Sequence, residues 1–326
     1  MKEDFDFENA RVVQVIRERA CRKVLLQFPE GLKRRAPEVA SALSSLTDAT
    51  IIISGDQCFG ACDIPATDAD LIVQYGHLPI PCLETPKSVM YIQARSSADP
   101  IPVLEAVLPR LSGTVGLLTT AQHIHFLVGM ADFLGSKGLK VLIGKGESRL
   151  YADGQVLGCN ASCARAVADK VDAFLFVGTG DFHPLAVSLA TSKPVFAADP
   201  MTLEVRDMSE QRDRLLRQRH AAIERARSAK RIGIIISSKI GQRRERAAVA
   251  VVGMLESAGF TAILTEMDLI TPAKLDTIGL DAWVSTACPR LAIDDSASFR
   301  TPVLTVPEAE ILAGKRAWEN YILDEI

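Results

Sequence analysis

The feature that most constrains this chain is an ordered set of three elements that occurs three times. Short apolar, β-branched runs stand at KVLLQF (23–28), TVGLLTT (114–120) and RIGIIISS (231–238). Runs of this kind read as buried parallel strands. Each leads into a polar or glycine-bearing loop and then a helix-like stretch; the loops are PEGL, AQHIH and KIGQRR. A second set, DLIVQYGH (70–77), DAFLFVGT (172–179) and DAWVSTAC (281–288), begins with Asp each time and is soon followed by Pro79, Pro184 or Pro289. A third set follows in the same order: PKSVMYIQA (86–94), SKPVFAADP (192–200) and TPVLTVPE (301–308). Strands alternating with helices imply parallel sheets covered by helices. The fold class is therefore α/β, with three pseudo-repeated small parallel-sheet units about a pseudo-threefold axis. The expected boundaries are 1–110, 111–205 and 206–326. In such sheets functional loops gather at the carboxyl ends of the strands.

Composition excludes several classes. A net charge of −3 over 326 residues gives no general argument for nucleic acid or an anionic membrane. No apolar run approaches the roughly 20 residues that span a bilayer. The start, MKEDFDFENA, is acidic and polar, unlike a secretory signal. The segment 206–231 carries nine Lys/Arg and four Asp/Glu. It reads as a helix with Leu215, Leu216, Ile223 and Ala226 on its apolar side and a solvated basic face.

The seven cysteines are Cys21, Cys58, Cys62, Cys82, Cys159, Cys163 and Cys288. An odd number in a long chain speaks for reduced thiols in a reducing compartment rather than a disulfide scaffold. Cys21 and Cys82 have no partner within reach and read as structural. Cys58 and Cys62 lie four apart in SGDQCFGACDIP (54–65), and Cys159 and Cys163 four apart in GQVLGCNASC (154–163). Cys288 ends a strand in STACPRLAIDD (285–295). Two arrangements fit. Cys58, Cys62, Cys159 and Cys163 could close a structural zinc site, leaving Cys288 idle. Alternatively Cys62, Cys159 and Cys288, one per unit, could hold three irons of a cubane cluster and leave the fourth iron open to substrate. Spacing alone does not separate them.

The segments QFPEGL, GACD, TTAQHIH, GQVLGCN, GTGDFHPL, KIGQRR and ACPR, in this order from about residue 20 onward, are similar to those of the archaeal diphthamide-biosynthesis enzyme of the first step, a 3-amino-3-carboxypropyltransferase. That resemblance implies a homodimer of three-unit protomers, and the reduced thiols make the cytoplasm its expected location. It implies a 4Fe–4S cluster held by Cys62, Cys159 and Cys288, without the CxxxCxxC loop of ordinary radical S-adenosylmethionine enzymes. The implied reaction breaks the Cγ–S bond of S-adenosylmethionine, releases methylthioadenosine and places the 3-amino-3-carboxypropyl group on imidazole C2 of a histidine of translation elongation factor 2. An electron donor is a further implied partner. Cys58 and Cys163 fall outside the family's ligand pattern.

That substrate carries a carboxylate, for which Arg290, two residues after Cys288, is the first candidate. The loop Gly178, Thr179, Gly180 and Asp181 holds the unit-two position equivalent to Cys288 and is expected to face the axis. Its glycines would let backbone approach a ligand, and Asp181 would take an ammonium or a ribose hydroxyl. His183 is the candidate proton shuttle. His123 and His125 stand at the first loop of unit two, and Gln27 and Glu30 at the matching place in unit one. Two rivals remain: a quinolinate-synthase-like 4Fe–4S dehydratase, and a zinc-stabilised non-enzymatic module.

Overall fold

A computed structural model describes residues 5–86 and 88–326. The first four residues of the acidic start, and Lys87, lie outside the described residues. A short strand β1 (Phe5–Asp6) precedes β2 (Lys23–Gln27), β3 (Thr50–Ile53), β4 (Leu71–Tyr75) and β5 (Val89–Ile92), and β6 (Arg95–Ser96) pairs antiparallel with β1. The second group is β7 (Thr114–Thr119), β8 (Lys140–Leu142), β9 (Ala173–Val177), β10 (Val195–Ala198) and β11 (Val205–Asp207); the third is β12 (Arg231–Ser237), β13 (Thr261–Met267), β14 (Ala282–Ser285) and β15 (Val303–Leu304). The strand orders are β3-β2-β4-β5, β8-β7-β9-β10 and β13-β12-β14-β15, with β11 added antiparallel to β10. All other pairings in these sheets are parallel. The same order, second-first-third-fourth, thus occurs three times.

The apolar runs read as strands because both of their faces are covered. Along β9, Phe174 and Phe176 join one core with Leu118, while Leu175 and Val177 join another with Leu117 on the opposite face. Along β12, Ile232, Ile234 and Ile236 pack on one side while Ile235 packs with Trp283 on the other. This is the two-residue alternation of a strand, with each face apolar.

The recurring Asp has a shared structural cause. Asp70 Oδ2 accepts from the backbone N–H groups of Arg22 and Lys23 at 2.8 and 2.9 Å. Asp281 Oδ2 accepts from those of Lys230 and Arg231 at 3.0 and 2.8 Å, and Asp172 Oδ2 from that of Thr114 at 2.7 Å. Each carboxylate ties the start of its sheet's third strand to the start of the first. These backbone bonds hold the Asp70 and Asp281 carboxyls below their usual range.

The basic segment forms the helix Ser209–Ala226, but its basic residues are not all solvated. Arg219 is 1% exposed and meets Glu308, which is fully buried, through Nε–Oε1 at 2.8 Å and Nη2–Oε2 at 2.6 Å. Its remaining donors reach the carbonyls of Ala292 and Val303. No helix among the described residues is long and apolar enough to cross a membrane.

Candidate metal and substrate cavity

Loops at the carboxyl ends of all three sheets line one cavity of about 610 Å³. After the first strands come Pro29–Gly31 and Thr120–Gln122; after the second strands, 57–62, 155–159 and 270–272; after the third strands, 76–78, 182–183, Cys288 and Arg290. Parallel strands point their carboxyl ends the same way, so each sheet contributes its loops to one edge.

Cys62, Cys159 and Cys288 all lie on this wall. Cys159 acts on the Cys62 thiol, and both act on that of Cys288. Burial raises Cys62 to about 11, and Cys159 adds to the rise. Burial also raises Cys288, reinforced by Cys159 and then Cys62. Cys159 is raised by burial and opposed by Arg149. Three thiols pushed toward the neutral form are poor nucleophiles by themselves. A bound metal reverses this, because its charge removes the thiol proton outright. Among the described residues no three His, Cys, Asp or Glu side chains stand close enough to share one metal ion.

The remaining cysteines separate from this group in different ways. Cys163 is fully buried in a core against the second sheet, and its Sγ packs on Gly146, away from the cavity. The closed zinc site of Cys58, Cys62, Cys159 and Cys163 is therefore not formed. Cys58 does line the cavity, with burial raising its thiol to about 12. Cys21 belongs to the core around the first sheet and Cys82 is exposed.

The loops are fixed from behind. Gln27 Nε2 donates to the Asp63 carbonyl at 2.9 Å, and Gln74 Nε2 donates to Gln27 Oε1 at 2.8 Å and to the Asp63 carbonyl at 3.1 Å. Gln27 is thus a buried brace under the Cys62 loop and does not line the cavity. From the loop after β12, Lys239 Nζ meets the buried Asp63 Oδ1 at 2.6 Å, and the Gly241 N–H donates to the Cys62 carbonyl at 3.1 Å. A Cβ on Gly241 would overlap the Cys62 backbone and side chain, so only glycine permits this approach. Gly158, beside Cys159, lies under the Phe182 ring, and a Cβ there would fall inside that ring.

The substrate-side expectations divide. Glu30, His183 and Arg290 line the cavity. Glu30 pairs with Lys33 Nζ at 2.6 Å. Arg290 Nε bonds Asp294 Oδ2 at 3.0 Å, and its guanidinium carbon lies 4.8 Å from the centre of the Phe182 ring. Burial lowers His183 to about 4, helped by the Arg290 charge and by His77. Gly178, Thr179, Gly180 and Asp181 are not on the wall. Gly180 takes a left-handed turn, φ 75°, directly before the helix Phe182–Ala190, and Asp181 is drawn outward into an ion pair with Arg206 at 2.9 Å. The turn brings Phe182 and His183, rather than the glycines, to the cavity. His123 and His125 do not reach it, whereas their neighbour Gln122 does.

Four lining or bracing residues have no counterpart among the sequence expectations: Arg149, Phe182, Gln242 and His77. The last was within reach. By strand alignment, His77 follows β4 where Cys288 follows β14. Its Nδ1 is buried and, among the described residues, has no partner.

The comparisons with known proteins agree with this geometry. Residues 28–322 match the family model described as a diphthamide synthesis protein. The chain belongs to the diphthamide synthesis protein family. It is 37% identical to 2-(3-amino-3-carboxypropyl)histidine synthase of Pyrococcus horikoshii, with 98% of this chain and 94% of that protein covered. It is 28% identical to subunit 1 of the Schizosaccharomyces pombe protein of that name, over 99% of this chain and 77% of the relative. It also matches a crystal structure of Dph2 from Pyrococcus horikoshii with a 4Fe-4S cluster, at TM-score 0.88 and 35% identity, covering 98% of this chain and 94% of that one. This diphthamide synthesis family member thus sets aside the quinolinate-synthase-like reading.

Proposed function

We propose that this chain is a 2-(3-amino-3-carboxypropyl)histidine synthase whose acceptor is a histidine of translation elongation factor 2. The Cγ–S bond of S-adenosylmethionine takes up one electron and breaks, methylthioadenosine leaves, and the carbon fragment joins imidazole C2; the ring is restored when that carbon's hydrogen leaves as a proton and one electron is given back, so the transfer is redox-neutral overall. One observation carries this reading: three cysteines from three sheets meet on one cavity wall and couple electrostatically. They fit a 4Fe–4S cluster, because each thiolate takes a separate iron and the three need not converge on one ion. Cys62, Cys159 and Cys288 would hold it, and when bound it supplies the electron that cleaves the sulfonium.

The protein's part is orientation and charge. Arg290 is the proposed partner of the substrate carboxylate: Phe182 carries its planar face, and Nη1 and Nη2 remain for a two-pronged contact. Glu30 is the proposed partner of the ammonium group. His183, neutral at pH 7, accepts the proton displaced from the acceptor imidazole. The cavity's apolar wall, including Ile80, Phe182 and Phe299, excludes water around the reacting carbon.

The units are taken as 1–110, 111–205 and 206–326 about a pseudo-threefold axis, a division supported by the recurring strand order. The chain is further proposed to work as a cytoplasmic homodimer with an external electron donor, without membrane or direct nucleic-acid contact. The test is anaerobic: reconstitute the full chain with iron and sulfide, reduce it, and add S-adenosylmethionine and the acceptor protein. Methylthioadenosine and a mass increase on one acceptor histidine are expected. A loaded, reduced chain that forms 5′-deoxyadenosine instead would overturn the assignment.

A further inference from the structure

Behind two of the three cysteines lies an arrangement that the substrate chemistry does not require. Gln242 is 4% exposed, and its Nε2 donates to Cys62 Sγ at 3.4 Å. Arg149 is 9% exposed, and its Nη2 donates to the Gly241 carbonyl at 3.0 Å. The guanidinium lies beside Cys159 and is also felt by Cys62. Gly241 thus connects the two loops, with its N–H on Cys62 and its carbonyl on Arg149.

These contacts make poor sense as packing alone. A buried cation ordinarily needs an anion. Glu308 supplies one for Arg219. Among the described residues no carboxylate pairs with Arg149, and its Nε is buried without an acceptor. The groups facing it that can become anions are the sulfurs of Cys159 and Cys62. A neutral thiol is likewise a weak acceptor for the Gln242 amide, whereas a thiolate is a strong one. Both donors therefore match the metal-bound form of the cysteines. Cys288 differs: it is served by the backbone N–H of Arg290 and by that residue's charge.

We propose that Gln242 and Arg149 are positioning residues that stabilise the Cys62 and Cys159 thiolates, lock their two loops in register through Gly241, and raise the reduction potential of the cluster these cysteines hold. The physical basis is general: N–H groups aimed at ligand sulfurs, and nearby positive charge, favour the more electron-rich reduced state. The inference rests on the cluster assignment above.

The experiment is a potentiometric titration of the anaerobically reconstituted full chain, followed by electron paramagnetic resonance, in wild type, Gln242→Leu, Arg149→Met and Arg149→Lys. Gln242→Leu should keep its iron and titrate at a more negative midpoint. Arg149→Met should shift further in the same direction and release iron faster to a chelator. Arg149→Lys, which keeps the charge, should recover most of the midpoint. If Arg149→Met does not fold, the shift in Gln242→Leu and the recovery in Arg149→Lys carry the test. Wild-type midpoints in loaded Gln242→Leu and Arg149→Met would overturn this inference alone. Failure of wild type to take up a cluster would instead overturn the cluster assignment.

Discussion

Two buried polar regions of this molecule are built on opposite terms. Around Arg219 every charge is answered: Glu308 accepts from it at two oxygens and also from the Thr305 N–H and the Tyr321 hydroxyl. Around the cysteine cavity polarity is left open: the Arg149 Nε and His77 Nδ1 have no acceptor or donor among the described residues, and the Cys288 thiol is opposed by those of Cys159 and Cys62. Burying polar groups without partners is costly, so a fold keeps such a place only where something else completes it. The saturated network joins the helix Ser209–Ala226 to the capping box of Thr305 and Glu308. The open one lies where loops of all three sheets meet.

Substitutions should separate these regions by readout. The largest stability effect belongs to the saturated one: Arg219→Ala strands a buried carboxylate and should cost about 3–5 kcal/mol in urea unfolding of the cluster-free chain. Replacing both partners by apolar residues should recover much of that loss. A loss below 1 kcal/mol for Arg219→Ala would erase the contrast.

A mid-sized effect is expected at the cavity wall. Gly158→Ala puts a methyl group into the Phe182 ring and should cost about 1–3 kcal/mol through overpacking. Because Phe182 carries Arg290, it should also weaken S-adenosylmethionine binding, measured by calorimetry of the loaded chain. Unchanged affinity would detach Arg290 from the substrate.

The pH dependence of the cluster-free chain gives a comparable effect. Burial lowers His183 to about 4. Between its ordinary value near 6.5 and about 4 the unfolded chain binds a proton there that the folded chain refuses. Stability from this residue is thus present above about 6.5 and lost as pH falls toward 4, on the order of 1–3 kcal/mol. Asp63 and Asp324, whose carboxyls burial raises, act in the opposite direction, so the informative quantity is the difference between wild type and His183→Gln. The variant should show the shallower acid loss; parallel curves would place a charged imidazole in the cavity.

The smallest effect is expected at Cys163. Its removal to Ala should cost about 1 kcal/mol of core packing and leave cluster uptake unaltered. Loss of the cluster in that variant would restore the four-residue spacing as a ligand pattern.

Much of the fold was legible because its strands are buried on both faces, which writes unbroken apolar runs such as RIGIIIS into the sequence. The strand β13 was not, since it is an edge whose Ile263 and Leu264 face solvent, and β8 is too short to announce itself. Of the site, the cysteines stood out through family motifs and not through spacing, which served zinc equally well. Arg149 and Gln242 were invisible because their meaning lies in contacts between loops far apart in sequence: Gln242 is 180 residues from Cys62. Asp181 misled for a related reason. Strand alignment placed it correctly along the chain, but Arg206, on β11, turns it outward.

The central claim concerns which sulfurs hold iron. The direct measurement is the iron and sulfide content and electron paramagnetic resonance of the anaerobically reconstituted, reduced chain in wild type and in the alanine variants of Cys62, Cys159, Cys288, Cys58 and Cys163. The account predicts a 4Fe–4S signal in wild type, its loss or conversion in each of the first three variants, and its retention in the last two. A wild-type signal in Cys288→Ala, with the chain folded, would contradict it.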